Sequence, residues 1–164
     1  MRPVPALRPA LCLAPLLVLA AACVNEPAAA PALPPLAADR AAPALALAEH
    51  VLAAHFADEE AADPPTTCLT LSPDPLDAAQ EAALIARFPR LAPRARCATA
   101  PPPPPSDGMT GERAVVVQIY RFACTDATHC TGWAIRPGRP ATRYTMAYQN
   151  GAWRIEGDRR LLAQ

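Results

Sequence analysis

The 164-residue chain contains no lysine; all 15 of its basic residues are arginine. Arginine together with abundant alanine and with 22 prolines fits GC-rich coding better than selection for bidentate guanidinium chemistry. There are only six glycines, so backbone cradles for phosphate are scarce, and neither a Gly-rich phosphate loop nor a Gly-x-Ser-x-Gly elbow occurs. Cys-x-x-Cys is absent, which removes the usual basis for a thioredoxin-like role. Glu49-His50 lacks the second histidine of a zinc-protease helix. No basic-aromatic motif of a nucleic-acid module is present, so no nucleic-acid partner is expected. The longest apolar run, 10–22, has 13 residues and is interrupted by Pro15, whereas a membrane-spanning helix needs about 20.

That run has a different use. Arg2 and Arg8 precede it, and Ala20-Ala21-Ala22 closes it, giving the charged, apolar and small-residue regions of a secretory signal peptide. Cys23 follows at once. The segment Leu19-Ala20-Ala21-Ala22-Cys23 resembles the lipobox of bacterial lipoprotein precursors. The resemblance implies that Cys23 is lipidated and becomes the first mature residue. Ordinary cleavage after Ala22 also fits and leaves a soluble periplasmic or secreted protein. Cys12 is no rival site, because bulky Leu11 precedes it. Val24 stands where inner-membrane retention often uses Asp, so the resemblance implies an outer-membrane lipoprotein facing the periplasm, anchored through its lipid.

Residues 1–22 are thus expected to be removed. The 142 that remain suffice for one domain with a real core. They carry 13 arginines against 15 acids, a formal charge of −2. Eight acids and no arginine lie between 41 and 82, while 12 arginines against five acids lie from 83 onward. A basic face for anionic envelope material is one reading. The other, which is favoured, is that the acidic and basic halves pack together and neutralise.

Residues 23–43 are rich in Ala and Pro without apolar periodicity and read as a disordered, semi-stiff tether. A single domain is expected over 44–164. Leu45, Ala48, Leu52 and Phe56 predict a helix over 44–58. Residues 66–71 alternate and predict a short strand. Asp74 as cap with Pro75 in the first helical position predicts a second helix, with a buried stripe of Leu76, Ala79, Ala83, Leu84 and Phe88, stopped by Pro89. Five consecutive prolines, 101–105, mark a stiff loop over 98–111. Strands are expected at 113–122, 132–136, 142–149 and 152–156. Asn150-Gly151 makes the last two a hairpin. A two-residue turn pairs Tyr148 with Trp153 and Met146 with Ile155, so one face is apolar and the other mostly polar.

Besides Cys23, the mature chain holds Cys68, Cys97, Cys124 and Cys130, and four cysteines allow three pairings. Cys124 and Cys130 flank a five-residue turn, which suggests a hairpin staple and leaves Cys68 for Cys97. Chain entropy gives about 2.4 kcal/mol for the short loop and about 3.6 for the long one. A metal site at Cys124, His129 and Cys130 is the alternative, but the spacing matches no standard zinc site. His50 and His55 are about 140° apart on the first helix and do not share a face, while His55 and Glu59 do. Asp126 and His129 are the remaining acid–base candidates. None forms a catalytic constellation, and neither a metal nor a cofactor is implied.

The order helix, strand, helix, then a meander closed by Tyr148-Gln149-Asn150-Gly151-Ala152-Trp153-Arg154-Ile155 resembles small exported α+β domains. Their plan is cystatin-like or NTF2-like, one or two helices on a small antiparallel sheet. Cys68-Leu69 with Arg94-Ala95-Arg96-Cys97 is similar to uncharacterised domains of bacterial exported proteins. The resemblance covers residues 44–160 and implies a fold, with no active site. The expected function is a non-catalytic interaction or structural module of the cell envelope with a protein or polysaccharide partner. The alternatives are a domain binding a small ligand or peptide, and an enzyme using the histidines. Trp133, Tyr144, Tyr148 and Trp153 form the candidate ligand surface. An apolar pocket among them favours ligand binding, and a closed core there favours the structural module.

Overall fold

The computed structural model describes residues 33–37, 40–58, 65–98 and 105–158. The predicted signal peptide, Cys23, residues 24–32 of the tether, Glu59 and prolines 101–104 lie outside the described residues.

Helix α1, Pro43–Ala57, begins with proline at its amino end, where the missing N–H has no intrahelical partner to lose. Leu45, Ala46, Leu47, Ala48, Val51, Leu52 and His55 are buried. Four consecutive buried residues mean that the helix is covered on more than one side. Each fully buried leucine or valine contributes roughly 1.5–3 kcal/mol. Residues 33–37, assigned above to the tether, supply part of that cover. Ala37 is buried, the Leu36 N–H donates to Glu49 Oε2 at 2.8 Å, and Arg87 Nη2 donates to the Pro34 carbonyl at 2.7 Å. The packed part of the chain therefore extends upstream of residue 44.

Helix α2, Ala78–Arg87, starts three residues later than a cap at Asp74 requires. Asp77 is the cap. Its carboxylate accepts the Gln80 N–H at 2.8 Å, and Gln80 Oε1 accepts the Asp77 N–H at 3.2 Å. Asp74 lacks this reciprocal partner, and the capping box decides the start. Ala79, expected in the buried stripe, is exposed, while Leu84 is fully buried.

Among the described residues five strands form one mixed sheet, in order from one edge to the other. They are β1 (Thr66–Leu71), β4 (Ala114–Cys124), β5 (His129–Ile135), β6 (Thr142–Gln149) and β7 (Ala152–Asp158). A separate ribbon, β2 (Cys97–Ala98) with β3 (Ser106–Asp107), lies within the predicted proline-rich loop. The domain is a small α+β fold. β4 to β7 are the expected antiparallel meander, but β1 joins β4 in parallel, so the sheet is not wholly antiparallel. A long connection carrying a helix is what parallel neighbours require, and α2 lies in it. The hairpin register is the expected one, with Tyr148 opposite Trp153 and Met146 opposite Ile155.

One face of the sheet carries Val117, Ile119, Cys130, Ala134, Tyr144 and Met146 into the core with α1. Gly132 lies on this face directly opposite Tyr144. A Cβ there would stand 2.9 Å from Leu47 Cδ2 and 3.3 Å from Phe122 Cδ2, so a side chain at this position would press on Leu47 of α1. A bulge between Tyr120 and Ala123 inserts one extra residue, with Arg121 at φ 52°, and returns Phe122 to the core side.

The disulfides Cys68–Cys97 and Cys124–Cys130 are both present, with Cα separations of 5.9 and 3.9 Å. The acidic and basic halves meet at Glu49–Arg87, 2.8 Å, and at Asp58, which takes Arg136 at 2.8 Å and Arg139 at 3.4 Å. Asp107, from the loop, is buried and is held by Arg96, by the Met109 N–H at 2.9 Å and by the Thr66 hydroxyl at 3.3 Å.

Candidate functional site

The flank of α1 facing β7 bounds a groove of about 480 Å³. Glu49, His50 and Ala53 come from α1, Arg87 and Phe88 from the end of α2, and Trp153 and Ile155 from β7. Leu33, Pro35 and Ala37 form a further wall. The helical spacing of Ala46, Glu49, His50 and Ala53 gives one continuous face, and alternation along β7 puts Trp153 and Ile155 on the same side.

The charged and polar groups here are already engaged. Glu49 accepts from Arg87 through one oxygen and from the Leu36 N–H through the other, and Arg87 also holds the Pro34 carbonyl. The carboxylate thus ties three chain segments together. His50 stands edge-on to Tyr144, ring centroids 5.6 Å apart. Desolvation first, and the Arg136 charge second, push the His50 pKa below its ordinary 6.5. The shift favours the neutral imidazole, which is both donor and acceptor.

The four aromatic residues expected on one surface do not share it. Tyr144 is in the core at 5% exposure, under His50. Tyr148 and Trp153 are neighbours, centroids 5.4 Å apart, edge to face. Trp133 is on the opposite face of the sheet. Gly132 pairs with Tyr144, so the next residue in β5 points away, where Trp133 is opposite Arg143 and stacks on Tyr120 at 6.4 Å. The space around Tyr144 is closed core, and the open volume lies beside Trp153.

The other candidates have structural partners. His55 is buried and contacts Thr67 Oγ1 at 3.2 Å. Asp126 accepts from the Thr128 side chain and N–H and from the His129 N–H, and these bonds, Thr128's first, lower its pKa to about 2. His129 Nδ1 lies 3.0 Å from the same carboxylate. Cys124 and Cys130 are consumed by their disulfide. Among the described residues no three His, Cys, Asp or Glu side chains are grouped to hold a metal.

No family model, curated protein or solved structure matches the chain. The groove must be read from its own chemistry. It offers aromatic and aliphatic walls, a neutral imidazole and a neutralised ion pair. Such a lining desolvates an apolar ligand and places a few polar contacts at its margin. Sequence reasoning found Trp153 but missed the Glu49–Arg87 pair. Those residues are 38 apart and carry no local signal that they meet.

Proposed function

We propose that the chain is a non-catalytic binding module of the cell envelope, carried by a lipid on Cys23 and a short Ala/Pro tether. The observation that carries the binding reading is the Trp153 groove, whose roughly 480 Å³ falls within the usual range for ligand sites, about 300–1,000 Å³. Its occupant is a small amphipathic molecule or the apolar side chain of an envelope partner. Glu49 and Arg87 hold the groove together, which supports binding over chemistry. The anchor and its outer-membrane address rest on the lipobox-like segment ending at Cys23 and on Val24. We read the fold as a variant of the cystatin-like or NTF2-like plan, on the support of α1 lying against the antiparallel strands β4 to β7.

Two experiments test this. The amphipathic dye anilinonaphthalene sulfonate should bind the native domain, and Trp153→Ala should weaken binding about tenfold while the melting profile stays cooperative. Equal binding by wild type and variant rejects the groove. Labelling with radioactive palmitate should mark wild type but not Cys23→Ser, and an unlabelled wild type rejects the anchor.

A further inference from the structure

The edge of β1 opposite β4 is only partly covered. The Thr67 N–H donates to the Arg90 carbonyl at 3.0 Å, and the Thr67 carbonyl accepts the Ala92 N–H at 2.9 Å. Leu91 thereby forms a parallel bridge with Thr67. Pro93 comes next, which has no N–H, and the chain turns away through the single 3₁₀ turn Arg94–Arg96. Main-chain groups alternate between the two edges of a strand. Ser72, just beyond the end of β1, donates to Ile119 of β4, so the even-numbered residues face β4. Leu69 and Leu71 share the edge of Thr67. Among the described residues nothing pairs with their N–H and C=O groups there.

A cavity of about 250 Å³ lies against this stretch, lined by Leu69, Leu71, Leu76, Leu84 and Leu91. Thr70 also lines it, and among the described residues nothing hydrogen-bonds its buried Oγ1. Glu81 accepts the Arg94 N–H, which fixes the wall formed by α2 and the 3₁₀ turn. A row of unpaired main-chain groups beside an aliphatic pocket is the arrangement by which a sheet recruits an extended peptide: backbone bonds supply affinity, and the pocket selects a side chain.

We propose that β1 accepts a strand from another protein, an extended proline-free segment that places a leucine-sized aliphatic side chain in this cavity and continues the parallel path begun by Leu91. The chemistry of the occupant follows from the site. Only a peptide backbone offers donors and acceptors at the spacing of Leu69 and Leu71. Glu81 and Arg94 oppose each other in charge, so the pocket favours an uncharged side chain. The segment 24–35 of this chain fits poorly, because its prolines at 27, 31, 34 and 35 cannot donate. This site is separate from the Trp153 groove, and either can fail without the other.

Amide hydrogen exchange on the disulfide-intact protein tests the edge. Leu69 and Leu71 should exchange at least tenfold faster than Cys68 and Thr70, and equal protection overturns the proposal. The probe peptide acetyl-Thr-Val-Leu-Val-Thr-amide should bind at or below about 1 mM and slow Leu69 and Leu71 at least tenfold. The same peptide N-methylated at both valines keeps its side chains but loses donors, and should bind at least tenfold more weakly. Equal binding of the two peptides, or no binding at 1 mM, overturns the proposal. Leu76→Trp, which fills the cavity, should abolish binding while exchange at Leu69 and Leu71 stays fast. Self-association that slows the same two amides without peptide overturns it in favour of a second copy of the chain.

Discussion

Replacing Gly132 by alanine tests the contact that sets the distance between α1 and the sheet. The new methyl would sit 2.9 Å from Leu47 Cδ2 and 3.3 Å from Phe122 Cδ2. Carbon pairs are comfortable at about 3.5–4.0 Å. Leu47 is fully buried, which restricts its movement, whereas the half-buried Phe122 ring has room to shift. Overpacking of this kind costs about 1–3 kcal/mol. Alanine also relieves the entropy penalty of a glycine inside a strand, about 0.5–1 kcal/mol. At the middle of these ranges the clash wins, and Gly132→Ala should be destabilising by about 1 kcal/mol, with a span of about 0–2.5 kcal/mol. At about 4 °C per kcal/mol for a domain of this size, the melting temperature should fall by about 4 °C. Urea unfolding with both disulfides intact is the assay, and the midpoint should move while the slope stays constant. A double-mutant cycle isolates the cause. Leu47→Ala alone should cost about 2–5 kcal/mol. In that background Gly132→Ala should become neutral or stabilising, a coupling of about 0.5–3 kcal/mol. If alanine at 132 stabilises the wild type, or the two changes add within about 0.5 kcal/mol, the close approach is refuted.

Asp77→Ala should cost about 1 kcal/mol by removing the capping box of α2, whereas Asp74→Ala should stay within about 0.5 kcal/mol. Chemical unfolding of the two variants compares them directly, and a larger loss for Asp74→Ala would move the helix start upstream. The hydrogen bond from Arg96, assisted by the Met109 N–H, lowers the Asp107 pKa from 3.8 to about 2. A depressed carboxylate stabilises the fold above its unfolded pKa and loses that contribution as pH falls through the folded one. The melting temperature should therefore drop between about pH 4 and pH 2. Asp107→Asn should flatten that drop without removing it, because Asp126 titrates in the same window. An unchanged profile in the variant would refute the role of Asp107.

Features encoded over a few residues could be read from the sequence. The Asn150-Gly151 turn and the alternation around it specify a register that the structure reproduces pair by pair. The disulfide partners followed from one tight turn. What failed was non-local. Nothing in residues 66–71 states that β1 will lie parallel to β4. The connection between β5 and β6 runs through Arg136 to Ala141, too long to set register by turn type, so the side on which Trp133 emerges depended on the pairing of Gly132 with Tyr144. The misplaced start of α2 was recoverable, since Asp77-x-x-Gln80 is itself a capping-box pattern. The Trp153 groove was half legible. Its tryptophan stood out, but its other walls come from segments far apart in sequence.

The arrangement of α1 has a consequence for how the chain is made. Its leucines are translated early, yet the surface that covers them comes from β4 to β7, the last third of the sequence. At about 5–20 residues per second, the roughly 100 residues that separate Ala57 from the end of the final strand take about 5–20 s to synthesise. For that interval the sheet over the helix is incomplete: β4, β5 and β6 bring the buried residues Val117, Ile119, Cys130, Ala134, Tyr144 and Met146 in turn, and β7 adds Trp153 and Ile155 last.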